Sequence, residues 1–158
     1  MINIAAVMDN LGPSQKSFYL IKEFNKASLN EDVCVSVFHQ RSSIPVIPTM
    51  FGCKNISFLS NFHHIAIATN LQEASVLLNS SNNSKKFLYL WDMDWLIKPL
   101  VFTQVTNILL DKRLSIIARS TEHKTMIQNY CNKSPIGIVD NWKIDDIINL
   151  TQTEATNV

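Results

Sequence analysis

Short apolar runs alternate along the chain with segments whose apolar residues recur at helical spacing, and this alternation is the main structural signal in the sequence. Residues 4–8 form a continuous apolar run that stops at Asp9. The stretch Asp9-Asn10-Leu11-Gly12-Pro13-Ser14 then supplies the residue types of a tight turn, and Pro13 or Ser14 can open a helix. Phe18, Leu20, Ile21, Phe24 and Ala27 share one helical face, with Lys16, Lys22, Glu23 and Lys26 on the other. Residues 33–38 predict a second strand. Across 39–54, Pro45, Pro48 and Gly52 forbid a continuous helix and demote any strand. That segment reads as an ordered excursion over the carboxyl edge of a sheet, with Arg41, Ser42 and Ser43 just past a strand end. Residues 56–59 form a short strand candidate, and 65–69 another buried strand.

Asn70, with Glu73 three residues on, has the form of a helix cap and the carboxylate half of a capping box. Its helix, carrying Leu71, Ala74, Leu77 and Leu78, runs out in the polar stretch 79–84. Phe87-Leu88-Tyr89-Leu90-Trp91 follows, a run of large apolar residues that suits a strand buried on both faces. It ends abruptly at Asp92-Met93-Asp94-Trp95. A mostly apolar segment over 95–110, with Pro99 near its start, predicts a helix beginning about there. Residues 114–118 predict a strand, and 120–130 a helix capped by Ser120 with Glu122 close behind. Residues 136–139 predict a last short strand. Asp140-Asn141-Trp142 turns into a closing helix over 144–150, and 151–158 is expected to fray. Strands alternating with helices predict an α/β fold, a single Rossmann-like domain over residues 1–150 with a mainly parallel sheet flanked by helices. Residues 4–8, 65–68, 87–91 and 114–118 are its expected central strands.

Composition narrows the function classes. A chain of 158 residues, 46% hydrophobic and 17% charged, fits one domain with a proper core. The formal net charge of +1 offers no basic field for nucleic acid. Cys34, Cys53 and Cys131 are odd in number and widely spaced, form no zinc pattern, and read as buried free thiols of a reducing compartment. The first residues lack the basic region of a signal peptide, and no apolar run is long enough to span a bilayer. A soluble cytoplasmic protein without a membrane span is expected.

Candidate chemistry gathers where strands end, because open α/β sheets bind ligands beyond the carboxyl ends of their strands. Gly12 permits close backbone approach there, and Ser14 can donate to an anion at a helix N-terminus. Asp92 and Asp94 can accept from sugar hydroxyls; the alternative is that one of them caps the next helix and the tryptophans are core. Arg119 offers a planar fork to phosphate or carboxylate, unless it bridges to one of those acids. Ser120 and Asn141 complete the set. His63 and His64 diverge on an extended chain and are expected at the surface. No GxSxG, HExxH or glycine-rich phosphate loop is present, so neither metal nor cofactor is expected.

The C-terminal third resembles a known passage. Ile116-Ile117-Ala118-Arg119-Ser120-Thr121-Glu122-His123-Lys124, then Met126-Ile127-Gln128-Asn129-Tyr130, then Pro135-Ile136-Gly137-Ile138-Val139-Asp140-Asn141-Trp142-Lys143-Ile144-Asp145, is similar to a stretch of GT-B glycosyltransferases. There a strand ends in a serine, an early Glu and His follow, and a later strand leads to an Asn-Gly-Val-Asp-like turn between two Rossmann domains. Ser120, Glu122 and His123 match the first part, and Asn141 with Asp145 matches the turn. Trp142 stands where that family carries glycine. The opening strand, its Gly12 loop and the next helix are similar to the start of the acceptor-side domain. The resemblance implies a nucleotide sugar or sugar acceptor as ligand, and an enzyme that is incomplete without a donor-side domain. That domain would come from a separate partner or a homodimer. The alternative is a non-enzymatic protein-interaction module, for which apolar cleft residues would speak; a polar pocket with acids and Arg119 would speak for the glycosyltransferase-like reading.

Overall fold

The computed structural model describes residues 1–93, 95 and 102–156. Its elements alternate in the expected order: β1 (Ile2–Met8), α1 (Gln15–Ala27), β2 (Val33–His39), β3 (Gly52–Asn55), β4 (Ile65–Ala68), α2 (Leu71–Asn79), β5 (Lys85–Leu90), α3 (Phe102–Leu109), β6 (Leu114–Ala118), α4 (Thr121–Cys131), β7 (Gly137–Ile138) and α5 (Ile144–Thr156). The seven strands pair in the order β3-β2-β1-β4-β5-β6-β7, all in parallel. The fold is therefore an α/β, Rossmann-like single domain, and the four strands expected at the centre of the sheet are there.

Two cores sandwich the sheet because successive side chains of a strand point to opposite faces. On one face Leu20, Ile21 and Phe24 of α1 and Ile144 and Ile147 of α5 cover Ile4, Ala6, Ile67, Tyr89 and Ile117. On the other, Ala74 and Leu77 of α2, Val105 and Leu109 of α3 and Ile127 of α4 cover Ala5, Val7, Ala66, Leu88 and Ile116. Residues 87–91 are all nearly solvent-free, which is why the strand they belong to reads as one unbroken apolar run.

Four local expectations change. Residues 56–59 lie in a 3₁₀ helix (Ile56–Asn61), capped by the Asn55 side chain, and the edge strand β3 lies just upstream. All four β3 residues are exposed, so no burial pattern announces that strand. Cys34 and Cys53 are exposed free thiols, and Cys131 alone is buried. The closing helix runs on to Thr156 in place of a frayed tail from 151, and Thr151 is buried with its hydroxyl donating to the Ile147 and Ile148 carbonyls. The expected helix start near Pro99 lies outside the described residues.

The excursion after β2 closes over the carboxyl edge as expected. Arg41 N–H donates to the Asp9 carbonyl (2.9 Å) and Val46 N–H to the Leu11 carbonyl (3.2 Å). Asn25 on α1 anchors its far end, donating to the Pro48 carbonyl at 2.8 Å and accepting from Met50 N–H at 2.7 Å. No helix among the described residues is long and apolar enough to cross a membrane.

Candidate functional site

The strand order reverses between β1 and β4: the chain first steps outward from β1 to β2 and β3, then returns to β4 on the other side. The loops leaving β1 and β4 must therefore part toward opposite faces, and an open crevice is left at their carboxyl ends. A cavity of about 530 Å³ occupies that place, lined by the Asp9–Ser17 loop and helix start, Asn70, Trp91 and Asp92. Gly12, Ser14 and Asp92 of the expected site meet here, together with Asp9, Asn10, Lys16 and Asn70.

The β1 loop is largely self-satisfied. Asp9 accepts both forks of the Arg41 guanidinium, Nε at 2.7 Å and Nη2 at close range, and Arg41 holds its carboxyl below the usual carboxylate range. Asn10 Oδ1 accepts Gly12 N–H at 2.9 Å, and Ser43 Oγ accepts Leu11 N–H at 3.1 Å. A Cβ on Gly12 would stand 2.9 Å from that same Asn10 oxygen, so a larger residue here would have to displace the Asn10 side chain. Ser14 caps α1, its Oγ accepting Ser17 N–H at 3.0 Å and donating to Ser17 Oγ at 2.8 Å. Arg41 and Ser43 thus hold the loop, and Ser14 has a capping role at the cavity's edge.

From the cavity wall inward a relay joins three elements. Lys16 Nζ donates to Thr69 Oγ1 at 3.1 Å, and the Thr69 hydroxyl donates to Glu73 Oε2 at 3.1 Å. Glu73 is 1% exposed, and burial pushes its carboxyl above the ordinary value of 4.5, against the opposing pull of Lys16. Asn70 caps α2 as expected, its side chain accepting Glu73 N–H at 2.9 Å.

Arg119, at the end of β6, lies with its Cζ 3.8 Å from the centroid of Trp91, a cation–π stack. It forms no ion pair with Asp92 among the described residues, so the bridge weighed for it is not made there; Trp91 links it to the cavity wall. Ser120 caps α4, accepting His123 N–H at 3.2 Å. Asn141 sits in a turn beyond β7, with φ 46°, and does not line the cavity. Its strand is four positions from β1, about 19 Å at the usual spacing between strands. The predicted set therefore divides: Gly12, Ser14 and Asp92 converge, Arg119 joins through Trp91, Ser120 and Asn141 serve the C-terminal turns, and Asp94 lies outside the described residues.

Asp9, Lys16, Asn70, Trp91 and the relay were not in that set. Asn70 reads as a cap and Trp91 as core, both correctly, whereas Lys16 reads as part of a solvated helix face and is instead half-buried and bonded to Thr69. Their convergence depends on β4 lying next to β1, which local pattern does not reveal.

A second cleft, about 670 Å³, lies between α2 and α3 and shares Asn70 and Asp92 with the first. Among the described residues no group of three or more His, Cys, Asp or Glu is placed to hold a metal ion. No protein-family profile, curated protein or solved structure matches this chain.

Proposed function

We propose that this chain is a glycosyltransferase-like single-domain protein that binds a sugar or nucleotide in the crevice at the carboxyl edge of its sheet. The observation that carries this reading is the convergence of Ser14, Lys16, Asn70 and Asp92 on one polar cavity at the strand-order reversal. Their chemistry suits a hydroxyl-rich ligand: Asp92 accepts from sugar hydroxyls, Asn70 and Ser14 both donate and accept, and Lys16 donates only. Trp91 lines the cavity and carries the Arg119 guanidinium stacked on its ring.

Transfer of a glycosyl group needs groups on both sides of the cleft to hold donor and acceptor in line and to stabilise the leaving diphosphate. This domain supplies one side. The complementary groups belong to a donor-side domain facing this one, in keeping with the GT-B resemblance. The polar lining favours this reading over an interaction module.

Titration of nucleotide sugars and free sugars, followed by NMR on wild type and Asp92→Asn, tests it. Shifts confined to residues 9–17, 70 and 91–92, and weakened in the variant, are expected. Absent shifts, or shifts at the opposite sheet edge, overturn the reading and leave the interaction module in its place.

A further inference from the structure

Lys16 is held in an unusual way. A lysine that merely neutralised Glu73 would sit directly on the buried carboxylate, yet no Lys16–Glu73 ion pair is formed among the described residues. The Thr69 hydroxyl stands between them, 3.1 Å from each. The donors fix the direction of the chain: the ammonium gives one of its three protons to Thr69, and Thr69 gives its own to Glu73. Lys16 makes no other hydrogen bond among the described residues, and it lines the crevice. Two ammonium protons therefore remain for a ligand, on a side chain whose placement is set from behind.

The surrounding charges make this cation available. Asp9 is occupied by Arg41 through both of its oxygens. The groups that act on Glu73 from the elements packed against it are Lys16 on α1, Asp9 on the β1 loop, and Thr69 and Asn70 at the start of its own helix. Protonation of Glu73 removes the negative charge that faces Lys16 through the Thr69 hydroxyl. Gln15 and Lys16 also present first-turn backbone N–H groups that α1 cannot satisfy internally, on the same cavity wall.

We propose that the ligand of this crevice carries a phosphate group seated on Lys16, and that Glu73, acting through Thr69, is the residue that positions Lys16 for it. The inference rests on the small-ligand reading above and narrows it to phosphorylated ligands. Several donors on one wall match a group with three or more acceptor oxygens better than a carboxylate with two, and lysine serves phosphate as a point charge. Asp92, on the same cavity, is left for hydroxyls of the same ligand.

The test uses the full chain with pyrophosphate, sulfate and glucose as probes, followed by amide shifts and calorimetry. Pyrophosphate is expected to shift the Gln15 and Lys16 amides. Lys16→Met should weaken it about 10-fold or more, the scale of a lost charged hydrogen bond. Thr69→Val should weaken it several-fold and Thr69→Ser should restore it, which separates positioning from mere loss of packing. Sulfate keeps its charge across mild pH, so its affinity should fall as pH rises in wild type and stay level in Glu73→Gln. If glucose shifts the crevice residues while pyrophosphate does not, or Lys16→Met binds pyrophosphate like wild type, the phosphate inference falls and the small-ligand reading stands. If no probe and no nucleotide sugar shifts the crevice, both fall. If Thr69→Val binds like wild type, the positioning role of Thr69 and Glu73 is overturned.

Discussion

The Trp142 indole meets the Tyr89 ring edge to face, with 4.6 Å between centroids and 86° between planes. The Tyr89 hydroxyl in turn donates to the Val139 carbonyl at 2.7 Å and accepts the Trp142 backbone N–H at 3.5 Å. One buried tyrosine on the central strand thus clamps the turn after β7. Burial pushes its hydroxyl strongly upward, so it stays protonated and keeps donating. Trp142 itself has φ 61°, the left-handed conformation that glycine enters freely and that costs a bulky residue about 1–2 kcal/mol. The turn therefore has glycine geometry with a tryptophan in place, and the indole is completely buried.

Trp142→Ala should destabilise the domain by about 3–5 kcal/mol through the cavity it leaves. Trp142→Gly should be less damaging by about 1 kcal/mol, because glycine adopts this φ without strain. Urea denaturation of the two variants checks the order; an alanine variant more stable than the glycine variant contradicts it. Tyr89→Phe should cost about 1–3 kcal/mol, since the buried Val139 carbonyl loses this donor.

Gly137 on β7 has no room for a side chain. An added Cβ would stand 2.5 Å and 2.6 Å from the two terminal methyls of Leu150 on α5 and 3.1 Å from its Cγ. Gly137→Ala must displace Leu150 and should cost about 1–3 kcal/mol. Gly137→Ala combined with Leu150→Ala should lose less than the sum of the single changes, which a double-mutant cycle on thermal stability measures. Additive losses would mean that the two residues do not share the space.

Leu88, with no exposure, lies on the central strand between β4 and β6. Leu88→Asp would bury an unpaired carboxylate at a cost of several kcal/mol, against a usual total stability of about 5–15. Loss of cooperative unfolding in circular dichroism is the expected outcome; a folded variant with a native-like transition would refute the two-sided burial of this strand.

Stability should also carry the mark of Glu73. Its folded carboxyl lies above the ordinary 4.5, so the unfolded chain releases this proton first as pH rises. The contribution is present in full below about 4.5 and is lost as pH climbs through the raised folded value. Glu73→Gln should flatten that decline in denaturation midpoints measured from pH 4 to 8. Asp111 works in the opposite sense: Arg113 holds its carboxyl down to about 2 from 3.8, so its contribution is present above 3.8 and lost as pH falls toward 2. Asp111→Asn should remove the acid-side loss and leave the Glu73 window unchanged.

The order of strands and helices was legible from the sequence because each element carries its own local cause. Continuous apolar runs such as 87–91 belong to strands covered on both faces, and Ser14, Asn70 and Ser120 each cap the helix they precede. β3 was not legible, since four exposed residues pair only through backbone and leave no side-chain pattern. The extent of α5 was hidden for a related reason: past 150 the helix carries Thr151, buried with its hydroxyl on the Ile147 and Ile148 carbonyls, and a polar stretch of chain does not announce such burial.

Half of the candidate site was decided in the same way. That Gly12, Ser14 and Asp92 lie at strand ends follows from the sequence, because the ends of apolar runs are local. That Lys16, Thr69 and Glu73 join into one relay beside them, while Asn141 is carried to the far edge, follows only from the strand order. Parallel strands are joined by crossovers that may land on either side of their neighbours, and the choice rests on the summed packing of both faces of the sheet rather than on any one segment.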